Sequence, residues 1–278
     1  MSAPFIARIA LYPIKGFDPT AVESATVLPS GALAGDRRWA FLDGRDRFVN
    51  GKQFPAIHRI RTQIDPDASA AVVDDLHFRL AGDVTPLEDW MSARLATPVR
   101  LLENPTAGFP DDTDAPGPTL VSTATLDVVA GWFDLTLEQT RARFRANIEI
   151  DGVPAFWEDA FYGGTSRIGA APDAEGGGVA LFLVNPCARC VVPSRDAGTG
   201  EPIAGFQKRF AERRRATLAP GVDATPFDHY YRLAVNTRLA PGSNGGVIRI
   251  GDPVQAHAAA AAGVHTVTGA TAGEPISC

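Results

Sequence analysis

The stretch GVALFLVNPCARCVVPSRDAGTGE, residues 178–201, sets a strand-length apolar run directly before a pair of cysteines. Residues 178–184 carry no charge and are rich in large aliphatic side chains, which predicts a buried strand. Asn185-Pro186 predicts a turn at its end, because proline drives the preceding residue out of the helical region. Cys187 and Cys190 then lie just past that turn, at a strand-to-loop junction, with Arg189 between them. A thiolate in that setting has a cation to support ionisation and open access to a ligand.

Three chemistries compete for such a pair. A closed zinc site needs four ligands, yet Cys278 is the only further cysteine, and His58, His77, His229, His257 and His265 show no ligand-pair spacing. A thioredoxin-like dithiol opens a helix in a βαβ unit, whereas here Val191, Val192 and Pro193 follow. Cys187, beside Pro186, reads equally well as a small buried hydrophobe. The residues alone leave Cys190 as the sharpest candidate for a metal thiolate and the alternatives open.

Toward the N-terminus, alternation and β-branched enrichment predict strands at 5–12, 21–28, 39–42, 57–64, 70–73 and 76–80. Asp43-Gly44, ahead of Phe48-Val49, is a hairpin signal. The period changes at 86–95, where Leu87, Trp90, Met91 and Leu95 share one helical face, and PVRLLE (98–103) returns to strand. Residues 104–118, dense in Pro, Gly and Asp, predict a long loop of the kind that often carries function. Beyond it come a strand at TLVST, helices at 125–133 and 137–145 with Ser or Thr available as caps, and a strand at NIEI. After the cysteines, 202–215 predicts a helix whose second half is crowded with Lys208, Arg209, Arg213, Arg214 and Arg215. YYRLAV and GVIRIGDPVQAH read as closing strands, and the Ala, Thr and Gly rich tail after His257 as frayed. The expected architecture is β-rich α+β in two domains. A β-barrel-like unit spans residues 1–100, and a larger barrel decorated with helices spans 101–278.

Composition sets outer limits on function. A hydrophobic share of 45% and a charged share of 21% over 278 residues describe a folded chain. A net charge of −6 argues against a general nucleic-acid or anionic-membrane binder. The opening residues lack a secretory pattern and no run approaches the length of a membrane span, so a cytoplasmic protein is expected. GxSxG, Walker, GxGxxG and HExxH motifs are missing from the sequence, which removes the usual hydrolase and nucleotide templates. Several cations instead stand at turns beside small hydroxylated residues: Lys15 before Gly16, Arg37 after Gly35-Asp36, Ser122 with Thr123, and Arg145 close to Asn147. Guanidinium forks, hydroxyls and backbone N–H groups are the donors that a phosphate uses.

NPCARCVVPSRDAGTGE (185–201) resembles the signature of the MOSC family, named for the C-terminal domain of molybdenum-cofactor sulfurase. LYPIKG (11–16), GDRRWAF (35–41) and LVSTATL (120–126) resemble its N-terminal barrel and early MOSC segments. RFRANIEIDG (143–152) and IRIGDPV (248–254) extend the likeness along most of the chain. It is most similar to the branch containing the mitochondrial amidoxime-reducing component and its bacterial relatives, which reduce N-hydroxylated and other N-oxygenated compounds at a molybdenum centre.

The resemblance implies a molybdenum cofactor, a molybdenum–molybdopterin group, with Cys190 as its thiolate ligand. Lys15, Arg37, Ser122, Thr123, Arg145, Asn147, Ala188 and Arg189 would hold its phosphate and pterin, and Tyr230 matches a cofactor-side tyrosine more loosely. Gly16 and Ala188 stand where relatives often have Ser, each removing a hydroxyl donor but leaving a backbone N–H. Neither pyridoxal phosphate nor an iron–sulfur cluster of the chain's own is expected, since such a cluster needs four cysteines. Electrons would come from a separate flavin reductase, ferredoxin or cytochrome, for which the basic cluster at 208–215 offers a docking face. A small N-oxygenated molecule would be the substrate, with no nucleic acid or membrane as partner. A cofactor carrier or sulfuration partner without turnover, and a thiol redox protein using Cys187 and Cys190, are the competing functions.

Overall fold

The computed structural model describes residues 3–64, 70–169, 178–243 and 245–258. The chain opens with β1 (Phe5–Leu11), β2 (Thr20–Val22), β3 (Ser24–Val27) and β4 (Trp39–Asp43). A 3-10 turn at Pro55–Arg59 precedes β5 (Thr62–Ile64), β6 (Ala70–Val73), β7 (Leu76–Arg79), α1 (Thr85–Leu95) and β8 (Val99–Glu103). After the long loop come β9 (Leu120–Ser122), α2 (Thr123–Gly131), α3 (Leu137–Phe144) and β10 (Ile148–Asp151). A second 3-10 turn at Trp157–Phe161 leads to β11 (Thr165–Ile168) and β12 (Val179–Ala188), and a third at Val192–Ser194 to α4 (Phe206–Thr217). β13 (Arg232–Leu239), β14 (Gly246–Arg249) and β15 (Val254–His257) complete the described chain.

The architecture is the β-rich α+β class that the sequence predicts. Its largest sheet runs β15-β11-β12-β13-β9-β10-β1-β2, so the first two strands join the same sheet as the last ones. Only β9 and β10 pair in parallel within it. Parallel neighbours need a crossover, and α2 and α3 supply it. This geometry brings the C-terminal end of α3 to the segment that follows β1, where Arg145 lies over the Tyr12 ring and donates to the Phe17 carbonyl. The smaller sheets pair β14 with β3, β4 with β8, and β5-β6-β7.

Packing divides into three apolar clusters. Ile6, Ile9, Leu181, Leu183 and Val235 fill the large sheet's core, while Trp39, Phe41, Ile57, Leu87 and Met91 fill the N-terminal one. The third, with Val121, Phe144, Phe206, Phe210 and Tyr231, packs α2, α3 and α4 together and takes half-buried Cys187 against its side. Phe206 stacks on Phe133 at 4.0 Å and Tyr231 meets Phe210 edge-on at 5.2 Å, geometries that favour the ring quadrupoles.

Three elements differ from the sequence expectations. Residues 57–64 are not one strand: Ile57 and Ile60 are both buried at a spacing of three, which a 3-10 turn started by Pro55 satisfies, whereas alternation would put them on opposite faces. The strand expected at 21–28 is interrupted at Glu23, whose carbonyl accepts from Ile250 N, and its halves belong to different sheets. Asn185-Pro186 does not end β12. The strand continues to Ala188 through register shifts on either side of Pro186, and bulges are where a sheet tolerates a residue without N–H. Cys187 therefore lies on the strand, and Cys190 alone lies beyond it. The tail after Ala258, with Cys278, falls outside the described residues.

Candidate functional site

The C-terminal end of α3 organises the site. The helix starts at a reciprocal capping box between Thr136 and Gln139 and stops at Arg145, held in the left-handed region at φ 54°. Its last residues then diverge. Arg143 donates to the Pro193 carbonyl at 3.2 Å and reaches Asp196 at 3.4 Å. The Phe144 carbonyl accepts from the Arg189 guanidinium. Arg145 donates to the Phe17 carbonyl at 2.5 Å and lies 4.2 Å over the Tyr12 ring. Guanidinium groups gather here in part because carbonyls at a helix C-terminus lack intrahelical partners and carry the negative end of the dipole. The cysteine loop and the N-terminal segment thus meet at one helix end.

The two thiols have different surroundings. Cys187 is half-buried and accepts from Arg189 Nη1 at 3.0 Å, while Cys190 is exposed and accepts from Val192 N at 3.4 Å. Burial opposes the charge on Arg189, yet Cys187, Cys190 and Tyr231 outweigh it and raise its pKa further. Tyr231, which the sequence reading did not single out, gives its carbonyl to Arg189 N at 3.0 Å and buries its hydroxyl. Burial raises the Tyr231 phenol, against the charges of Arg189 and Arg143. Arg143 Nε, Arg189 Nε and the Tyr231 hydroxyl are buried without a hydrogen-bond partner among the described residues.

On the other side of α3, Arg37 and Arg145 converge on the Tyr12 ring, and Lys15 joins Arg37 through Asp111. Lys15, only 7% exposed, donates to the Phe109 carbonyl at 2.9 Å and to the Asp111 carboxylate. Arg37 pairs with Asp36, stands with Nε 3.9 Å from Asp111, and lies 5.5 Å over the Tyr12 ring. Burial pulls the pKa of Lys15 and of Arg145 down, whereas Asp111 is held below its ordinary value because Lys15 and Arg37 overcome burial. Asp36 and Asp111 leave the cations in excess, the condition for attracting an anion. The sequence reading found the cations and missed both carboxylates; Asp36 was visible beside Arg37, and Asp111 in the loop at 104–118 carried no signal of its own.

The other expected residues occupy distinct places. Ser122 caps α2, accepting from Thr125 N at 3.0 Å, and is fully buried. Asn147 ties β10 to its neighbours, donating to the Ala10 carbonyl at 3.0 Å and accepting from Thr119 N at 3.2 Å. Thr123 differs from both, with a buried hydroxyl that lacks a partner among the described residues. Ala188 is exposed at the end of β12 opposite Arg232. Tyr230 stacks on Phe227 at 5.9 Å and lies under Arg215, so its ring belongs to the α4 surface. Gly16 adopts φ +91°, a left-handed conformation that favours glycine.

A buried polar network behind α2 has no counterpart in the sequence reading. The Thr125 hydroxyl lies 2.6 Å from that of Ser122 and donates to Glu158 at 3.3 Å. Asp159 receives Arg214 at 2.6 and 2.7 Å and the Tyr162 hydroxyl at 2.7 Å. Burial, and secondarily Asp159, push the Glu158 carboxyl up to about 7. Arg214 thereby leaves the basic face of α4, where Lys208, Arg209, Arg213 and Arg215 remain exposed.

Among the described residues, no three His, Cys, Asp or Glu side chains gather as a metal cluster, so these residues build no closed zinc site. Cys187 lies on β12 and Cys190 between that strand and a 3-10 turn, not at the start of an α-helix where a thioredoxin-type dithiol lies. A cavity of about 520 Å³ between β2 and the β5-β6-β7 sheet is lined by residues including Thr20, Thr62, Ile64 and His77 and holds no thiol.

The model of the MOSC N-terminal beta barrel domain matches residues 3–139, and that of the MOSC domain matches residues 119–255. The chain belongs to the MOSC family. Cys190, Arg189 and Arg145 fall in the MOSC match, Lys15 and Arg37 in the N-terminal barrel match, and Ser122 and Thr123 in the overlap. MOSC domains are associated with molybdenum-cofactor binding or a sulfurase-like function. The crystal structure of the YUAD protein from Bacillus subtilis is similar at 11% identity and a TM-score of 0.38, over 91% of this chain and 97% of that one. No curated protein matches the MOSC chain significantly. Among the described residues, no helix is long and apolar enough to cross a membrane.

Proposed function

We propose that this MOSC protein is a molybdenum-cofactor-dependent oxidoreductase that reduces N-hydroxylated or other N-oxygenated compounds, with Cys190 as the protein's ligand to the metal. The observation that carries this reading is the division of labour between the cysteines. Arg189 engages Cys187, and Cys190 is exposed two residues beyond the strand, open to a ligand.

The expected donors fit the group. Lys15, Arg37 and Arg145 form a cationic cluster suited to a terminal phosphate. Thr123 Oγ1 and Arg189 Nε are buried donors without partners among the described residues, a costly arrangement unless a bound molecule or water completes them. Ser122 and Asn147 hold the surrounding backbone through their internal hydrogen bonds. Ala188 offers backbone contacts, and Tyr230 would approach from the α4 side. When bound, the cofactor supplies two-electron oxygen-atom transfer, and the fold's task is to position it and control access.

The net reaction takes an N-hydroxylated base, two electrons and two protons to the amine and water. Electrons come from a separate donor protein, for which the exposed cations Lys208, Arg209, Arg213 and Arg215 present an attractive face. The test is whether cofactor-loaded, chemically reduced protein converts an amidoxime to its amidine with matching loss of reducing equivalents. Turnover supports the reductase. Full cofactor occupancy without turnover favours the carrier or sulfuration function instead.

A further inference from the structure

Asp111 holds an unusual position for a carboxylate in a site expected to take phosphate. Its side chain is 77% exposed, yet it covers the ammonium of Lys15, whose side chain is 9% exposed, and approaches Arg37 Nε at 3.9 Å. An anionic group from the protein therefore occupies the cations that an incoming phosphate needs.

The loop bearing Asp111 is fastened on both sides by contacts that do not use this carboxylate. Before it, Asn104 N donates to the Arg38 carbonyl at 2.8 Å and Phe109 N to the Arg37 carbonyl at 2.9 Å. After it, Asp112 accepts from Asp114 N and Ala115 N and takes Asn236 Nδ2 at 3.3 Å, anchoring the loop to β13. The Asp111 side chain is thus a solvent-facing arm on a fixed base. Rotating it away uncovers Lys15 and Arg37 without unpicking the loop.

We propose that Asp111 is an anion-mimicking gate, which holds Lys15 and Arg37 in place while the site is empty and is displaced by the phosphate of an entering ligand. The inference rests on the reading that these cations form a phosphate site. A gate of this kind weakens ligand affinity by the strength of the internal pair, because the ligand must first displace it. In return the buried ammonium keeps an ion-pair partner when no ligand is present, which avoids an unpaired buried charge.

The test is calorimetric binding of inorganic phosphate to the full chain at fixed ionic strength, comparing wild type with Asp111→Ala and Asp111→Asn. The gate predicts phosphate binding about fivefold or more tighter in both variants, and loss of that gain in Asp111→Ala/Lys15→Gln. Equal or weaker binding in the Asp111 variants, a gain that survives Lys15→Gln, or no binding by any of them overturns the gate. The molybdenum reading fails separately: a phosphate gain in protein that retains no molybdenum leaves the gate standing for another phosphorylated ligand. Molybdenum retention without the gain overturns the gate alone.

Discussion

Arg189 Nη1 lies 3.0 Å from Cys187 Sγ, so the guanidinium between the two cysteines is directed to the one that is not the expected metal ligand. The same side chain reaches the Phe144 carbonyl at the end of α3, locking the loop to the helix. Cys190 is left with one contact to its sulfur, from Val192 N at 3.4 Å.

This difference should appear in thiol chemistry. With limiting iodoacetamide on native protein, Cys190 should be alkylated several-fold faster than Cys187, because Cys190 is exposed while Cys187 is half-buried and its sulfur is engaged by Arg189. Peptide mass spectrometry reads the two sites separately. Equal rates, or faster labelling of Cys187, would contradict the assignment.

The Asp159–Arg214 pair is buried on both sides and tied to Tyr162. Arg214→Met leaves the Asp159 charge without its partner and should cost about 3–5 kcal/mol in denaturant unfolding. Adding Asp159→Asn to Arg214→Met should restore part of that loss. A strictly additive double variant would show that the two side chains do not act as a pair.

Glu158 gives a pH dependence with a definite sign. Its folded-state pKa is raised from 4.5 to about 7, so the folded state binds its proton more tightly than the unfolded chain does. Its contribution to stability is complete below pH 4.5 and is lost as pH rises through about 7. Glu158→Gln should abolish that part of the slope, at most about 3 kcal/mol, so wild type and variant diverge between these limits and run parallel above them. Parallel stability curves throughout would mean that the carboxyl does not titrate in this window.

Gly108 joins the fold to the site. It holds φ +62°, and a Cβ there would stand 2.5 Å from the Asp36 carbonyl oxygen, a contact that backbone must move to relieve. Gly108→Ala should destabilise by about 1–3 kcal/mol and disturb the Arg37–Asp36 pair beneath it. Thermal unfolding checks the first effect, and weaker phosphate binding the second. Wild-type behaviour in both would remove the tight approach from the account.

The sequence made the element order and β-rich class legible because buried runs such as GVALFLV and the 86–95 helical face follow a single period. It misled where one pattern served two geometries. Ile60, Thr62 and Ile64 alternate as a strand does, but Ile57 is out of phase with them and belongs to a 3-10 turn, and Asn185-Pro186 looks like a strand end although paired bulges carry β12 through it. The cations of the site stood out beside turn residues, and Asp36 stood next to Arg37, but nothing local marked Asp111 as their partner. Asp36 and Asp111 come from segments far apart in sequence, and only the packing of the 104–118 loop over Arg37 brings them together. Tyr231 and the Glu158 network were hidden for the same reason: their significance is a missing or shared hydrogen bond, which no local pattern encodes.

The most direct test of the central claim is the molybdenum and pterin content of protein produced in a host that makes molybdenum cofactor, wild type against Cys190→Ser, with Cys187→Ser as the paired control. The account predicts near-stoichiometric molybdenum in wild type and in Cys187→Ser, and its loss in Cys190→Ser. Molybdenum retained in Cys190→Ser, or a wild type that carries none, would contradict it.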